Sequence, residues 1–190
     1  MDRRSYLAAV VATGAGAVGG CIAQPARAGY AGMPIERIHH VGNWAVTDVG
    51  LRVRVRGMWL LDSIDYWFGG GSSLATLSAD EGKQFVLGRI EAENRGIHAV
   101  SGPAYDEWTI FAPHATYEAR HTFPRGVPFE YLHHERFGDL TMVTDTEIPA
   151  GTATAYWTAF YVDEQPDWNY ILGWQGDIDG GADAGTYWQP

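Results

Sequence analysis

Seven histidines are the first residues that could carry chemistry: His39, His40, His98, His114, His121, His133 and His134. A metal site needs three or four ligands converging from fixed positions. Adjacent residues on a strand point to opposite faces, so neither His39–His40 nor His133–His134 easily supplies two ligands from one strand. His114 and His121 are an odd number of residues apart, which puts them on opposite faces of one continuous strand. His133 and Glu135 share a face. With His121 on a neighbouring strand, His121, His133 and Glu135 would form a metal or hydrolase site. No known ligand spacing accompanies this set. A blue-type copper site would need a cysteine thiolate, and the single cysteine, Cys21, lies far from these residues in sequence. No cofactor is expected.

Other chemistries have weaker anchors. Residues 177–183, Asp-Ile-Asp-Gly-Gly-Ala-Asp, have the Asp-x-Asp-Gly look of a calcium loop. A complete loop needs Gly at the sixth position and Glu at the twelfth. Here those places hold Ala182 and Trp188, and the run reads as a soluble acidic tail. There is no Gly-x-Ser-x-Gly motif and no second cysteine for a nucleophile. Carboxylates are abundant, but separation rather than abundance makes a glycosidase pair. The eight tryptophans are mostly expected in the core. Trp67, beside Gly69-Gly70-Gly71, and Trp168, after Pro166-Asp167, stand in loop-like surroundings. Exposed loop aromatics often engage partners, so these two are the ligand-binding candidates.

The elements that must position these side chains read as strands. Residues 51–56, Leu-Arg-Val-Arg-Val-Arg, alternate strictly, the period of a strand with one buried face. The three arginines share the other face, either as a solvated row paired with acidic neighbours or as an anion-binding stripe. The triple glycine suggests a mobile loop. It is not a phosphate loop, because no Gly-Lys-Ser/Thr closes it. Residues 85–94 form a second strand, ended by an Asn94-Arg95-Gly96 turn. Residues 115–123 alternate again until Pro124, Gly126 and Pro128 interrupt them. Residues 152–162 are rich in Thr, Tyr, Trp and Phe, a run of high β-propensity. Residues 169–174 are expected to be the last strand, with a fraying tail beyond. No long helical period and no fixed repeat are visible.

The first residues read as an address. Met1-Asp2-Arg3-Arg4-Ser5-Tyr6-Leu7 resembles a twin-arginine export signal carried by Arg3 and Arg4. Residues 8–20 are apolar and small, yet shorter than the roughly 20 apolar residues of a spanning helix. Val18-Gly19-Gly20-Cys21 resembles a lipobox, with Cys21 as the lipidated residue; Val18 stands where leucine is commoner. Residues 21–34 lack a clear period and read as a tether.

About 170 residues remain beyond residue 20, a length that suits one domain. With 8 Trp, 10 Tyr and 7 Phe, such a chain can bury a real core. The formal charge of −10 argues against nucleic acid or anionic lipid as partners. Lys83 is the only lysine, and this acidic, lysine-poor composition resembles that of proteins secreted by halophilic archaea.

Two stretches resemble a family. Residues 77–94 carry a glycine, a phenylalanine, alternating valine and leucine, and a closing Glu93-Asn94. Residues 147–162 carry Pro149-Ala150-Gly151-Thr152 followed by an aromatic strand. Both are similar to the immunoglobulin-like domains of unknown function found in bacterial and archaeal surface lipoproteins. The resemblance spans roughly a third of the mature chain, and residues 124–141 depart from it. It implies a β-sandwich behind a lipid anchor, with no established catalytic residues. The expected fold is therefore all-β, an immunoglobulin-like antiparallel β-sandwich. The expected organisation is a signal at 1–20, a lipid-anchored tether at 21–34, the sandwich at 35–176 and an acidic flexible tail at 177–190. The expected function is a non-catalytic binding or adhesion module on the extracellular face of the membrane, held by a lipid on Cys21. Its partner would be a surface protein or glycan. The alternatives are an extracellular metal-binding protein or hydrolase, and a structural envelope component.

Overall fold

The computed structural model describes residues 38–47, 49–142, 147–165, 170–174 and 186–190. The first strands are β1 (Ile38–His40), β2 (Ala45–Val46), β3 (Leu51–Leu61), β4 (Ser63–Phe68), β5 (Ser73–Ser78) and β6 (Lys83–Asn94). Shorter ones follow: β7 (Val100–Ser101), β8 (Trp108–Phe111), β9 (Thr116–Glu118), β10 (Thr122–Phe123) and β11 (Val127–Pro128). The remainder are β12 (Leu132–His134), β13 (Gly138–Asp139), β14 (Glu147–Ile148), β15 (Ala153–Asp163), β16 (Ile171–Trp174) and β17 (Thr186–Gln189). Three single 3₁₀ turns are the only helical elements among the described residues. The all-β sandwich expected from the sequence is what forms.

The centre is a four-stranded antiparallel sheet ordered β15-β6-β3-β2. In β3, Leu51, Val53 and Val55 are fully or almost fully buried, while Arg52 and Arg54 face outward. A bulge between Val55 and Gly57 then shifts the register. A one-residue shift exchanges the two faces of a strand. Beyond it Met58 and Leu60 point to the inner core, and Trp59 and Leu61 point to the side that the arginines occupied. The bulge is thus where the outer face changes from solvated to covered.

Both faces of the central sheet are packed. On the inner side a five-stranded sheet, β1-β17-β16-β8-β9, presents Trp108, Ile110, Leu172, Trp174 and Trp188 to Val86, Ile90, Tyr156 and Phe160. On the outer side a four-stranded sheet, β13-β12-β4-β5, and the segment around Phe123, Val127 and Phe129 cover Phe85, Leu87, Trp157 and Tyr161. Burial on two faces explains why β6 and β15 read as nearly continuous apolar runs rather than clean alternations. Gly88 sits where the layers approach most closely: an added Cβ would lie 2.9 Å from Leu172 Cδ2 and 2.9 Å from Thr158 Cγ2.

Several buried polar groups are tied down. Trp108 Nε1–H donates to Tyr156 Oη (3.2 Å), which donates to the Pro103 carbonyl (2.9 Å). Trp188 Nε1–H donates to the Asn43 carbonyl (3.0 Å), and Trp174 Nε1–H to Glu107 Oε2 (2.8 Å). Asn94 is completely buried. Its amide donates to the His98 and Ile148 carbonyls and its oxygen accepts from Gly96 N–H, which fixes the turn after β6.

Five expectations need correction. Residues 177–190 are not a tail throughout, because Thr186–Gln189 forms β17, between β1 and β16, with Tyr187 and Trp188 completely buried. The preceding Gly- and Asp-rich run masked a short Thr-Tyr-Trp-Gln segment of high β-propensity. Residues 169–174 are therefore not the last strand. The β1–β17 pair is also parallel, whereas the other strand pairs among the described residues are antiparallel. The triple glycine is a closed hairpin turn: Phe68 pairs with Ser73, and Gly69, Gly70 and Gly71 all take positive φ. Residues 115–123 are not one strand either, since β9 pairs with β8 and β10 with β11.

Candidate functional face

The outward side of the β13-β12-β4-β5 sheet collects polar and aromatic groups. Along β4, Ile64 and Tyr66 turn to the core, so Asp65 and Trp67 turn outward. The register places Thr76 opposite Asp65 and Leu74 opposite Trp67 on β5, and His133 opposite Asp65 on β12. Asp139 on β13 is opposite His133. Six side chains from four strands therefore share one face.

Asp139 organises this face. Its Oδ1 accepts from Trp67 Nε1–H at 2.7 Å and lies 2.8 Å from His133 Nδ1. These two contacts, Trp67 first, hold the Asp139 carboxyl below the usual carboxylate range. An ionised carboxylate can only accept, so His133 carries its proton on Nδ1 and leaves Nε2 as an acceptor in the neutral ring. The Trp67 and His133 rings meet edge to face, with centroids 5.4 Å apart. Beside them Thr76 Oγ1 donates to Asp65 Oδ1 at 2.7 Å. The indole is thus held in one orientation, with carboxylate, hydroxyl and imidazole acceptors around it. Leu74, 47% exposed, adds apolar surface. Such a face can stack a flat or CH-rich ligand and bond its donors.

The metal set expected from the sequence does not assemble. His121 packs on Tyr105 (4.7 Å between centroids) just before β10, a strand that does not neighbour β12. His133 is engaged by Asp139, and Glu135 is exposed in the turn after β12. The neighbours of β12 are β13 and β4, so the partner strand assumed for His121 is a different one. Among the described residues, no group of three or more His, Cys, Asp or Glu side chains could hold a metal ion. His134 stacks on Phe137 (4.5 Å), and burial lowers its pKa from the ordinary histidine value.

Trp67 lies on the face just described. Trp168, Cys21, Arg3 and Arg4 lie outside the described residues. The sequence reading missed Asp139, Asp65 and Thr76. Their only signal was position on strands whose register was unknown. No helix among the described residues is long and apolar enough to cross a membrane.

A second polar cluster closes one end of the sandwich. Asp163 accepts from Lys83 and, at 2.8 Å, from Tyr117 Oη. Tyr161 Oη donates to Asp80 Oδ2 at 2.8 Å, and Tyr170 Oη donates to the Asp163 carbonyl at 2.6 Å. Lys83 and then Tyr117 hold the Asp163 carboxyl below its usual range. These bonds pin β6 to β15 and β9, a structural role.

No protein-family model matches the chain. No curated protein matches its sequence. Solved structures do resemble its fold. The yjhA protein from Bacillus subtilis superposes with a TM-score of 0.53 at 12% identity, covering 80% of this chain and 98% of that one. An uncharacterized β-sandwich protein from Clostridium difficile gives a TM-score of 0.48 at 12% identity, over 81% of this chain and 93% of its own. A secreted protein from Mycobacterium tuberculosis, MPT63, gives 0.40 at 12% identity, over 80% and 96%. At these identities the likeness to yjhA concerns the fold alone: the chain is similar to a bacterial protein in strand arrangement across most of both lengths.

Proposed function

We propose that this chain is an exported binding or adhesion module, held at the outer face of the membrane by a lipid on Cys21, that engages its ligand with the Trp67 face. The observation that carries the binding reading is the held indole. Trp67 is fixed by Asp139 on an outward sheet face beside exposed Leu74. A pre-oriented aromatic loses little freedom on binding, which favours its use as an anchor. The ligand is a surface glycan or protein that covers the ring and donates to Asp65, Asp139 or His133.

The twin-arginine route and the lipid rest on Arg3-Arg4 and on Val18-Gly19-Gly20-Cys21. The acidic, lysine-poor composition supports a high-salt setting. The domain acts without catalysis in this reading, because its polar groups serve orientation and hydrogen bonding.

Two measurements test the proposal. Intact mass of protein from its own membranes, with a Cys21→Ser control, should show the chain from Cys21 plus lipid. A soluble species cleaved elsewhere would remove the anchor. Binding to arrays of cell-envelope glycans and proteins should be weakened at least tenfold by Trp67→Ala with the fold intact. An array hit unaffected by that change would place binding elsewhere.

A further inference from the structure

The arginine row of β3 is only partly neutralised, on a chain whose formal charge is −10. Arg52 donates from Nε to Glu93 (2.8 Å) and Arg54 from Nε to Glu91 (2.8 Å). Arg95 also holds Glu93, at 2.7 Å. Trp44 lies 4.3 Å from the guanidinium carbons of both Arg52 and Arg54, which completes their surroundings. Arg56 differs. It stands at the bulge, 66% exposed, and reaches only 3.7 Å from the Glu91 oxygen that Arg54 already occupies.

Arg89 lies next to this bulge on β6, paired in register with Gly57. Its guanidinium rests over the Trp157 ring, 5.0 Å from the centroid. It makes no ion pair among the described residues. Burial first, and then the neighbouring charge of Arg56, lower its pKa from the ordinary arginine value, while Glu91 opposes the shift. Four guanidiniums, of Arg52, Arg54, Arg56 and Arg95, thus share the two carboxylates of Glu91 and Glu93, Arg89 pairs with neither, and the deficit falls on Arg56 and Arg89.

Retaining a half-buried cation beside a second cation costs free energy unless an anion completes the site. Two arginines offer parallel N–H pairs suited to an oxyanion, and Trp157 stiffens one of them by stacking. We infer that Arg56 and Arg89, brought together by the bulge in β3, form a binding site for a tetrahedral oxyanion, a phosphate or sulfate group. This site is separate from the Trp67 face and does not depend on the function proposed for it.

The test follows the side-chain Nε–H signals of Arg56 and Arg89 by NMR in the full chain. Inorganic phosphate, inorganic sulfate and acetate are titrated at one fixed ionic strength, because exposed charges are screened by salt. Phosphate, sulfate or both should shift the two signals saturably, with acetate at least tenfold weaker. Whichever ion binds tighter names the ester. Arg56→Gln and Arg89→Gln should each weaken binding about tenfold or more, as expected for loss of a charge-assisted pair. Arg125→Gln, at an exposed arginine elsewhere, should not. Shifts that fail to saturate, or that persist equally in Arg56→Gln and Arg125→Gln, would overturn the assignment. Arg56 is mostly exposed, so its variant keeps the test valid if Arg89→Gln unfolds.

Discussion

Trp188→Ala measures how far β17 belongs to the domain. Trp188 has no exposed surface, packs 5.8 Å from Trp108 between ring centroids, and donates to the Asn43 carbonyl. Burying an aromatic of this size removes roughly 200 Å² from water, and at about 25 cal/mol per Å² this stabilises by about 5 kcal/mol as an upper bound. Truncating a buried Trp to Ala costs about 3–5 kcal/mol in measured series. Loss of the N–H bond adds roughly 1 kcal/mol by leaving the Asn43 carbonyl without that donor. A net loss of about 4 kcal/mol is expected, a large part of the roughly 5–15 kcal/mol available to a domain. Urea unfolding followed by circular dichroism should show the midpoint falling with little change in slope. The thermal midpoint should drop by roughly 8–16 °C for a domain of this size. A loss below about 1 kcal/mol would refute the reasoning and restore residues 186–189 to a dispensable tail.

Gly88→Ala should destabilise by about 1–3 kcal/mol, read from the same unfolding curves, because the new methyl would meet Leu172 and Thr158 at 2.9 Å. Asp139 has a depressed folded pKa, so its contribution is present above the unfolded carboxylate value and is lost as pH falls through the lower folded one. The Trp67 Nε1–H resonance should stay fixed at neutral pH and move upfield only below the ordinary carboxylate pKa; Asp139→Asn should abolish that step. Tyr105, Tyr117, Tyr156, Tyr161 and Tyr170 all have raised pKa values, with burial the main cause, and Tyr170 is pushed up to about 12. Spectrophotometric titration should therefore leave Tyr105, Tyr156 and Tyr170 protonated at about pH 11 in the folded chain. Stability from these groups is present below the ordinary tyrosine pKa and is lost as pH rises through the folded values. Ionisation of all tyrosines with one ordinary pKa while circular dichroism is unchanged would contradict the buried hydroxyl network.

The sequence by itself determined the class of the elements and the inner face of the main strand. Leu51, Val53 and Val55 alternate with arginines because a half-buried strand has a period of two, and such local periods survive any tertiary arrangement. The aromatic run of β15 and the Asn94 turn are legible for the same reason: β-propensity and turn chemistry act over a few residues. Residues 124–141, which depart from the pattern of the resembled family, add β11 to β13 to the outer face, where β12 and β13 extend the sheet of β4 and β5. What only the tertiary structure decided is pairing. Trp67 was visible as an aromatic beside a glycine turn, but it lies in strand β4 rather than in a loop, half-buried, and Asp139 became its partner through a β4–β12–β13 register that no local pattern encodes. His121 failed to meet His133 because strand order set their separation. The bulge between Val55 and Gly57 leaves no local mark beyond a glycine, yet it decides which arginine is left incompletely paired. Pairing joins residues far apart in sequence, so it is fixed by the fit of two cores on one sheet, and that fit exists only once the chain has folded.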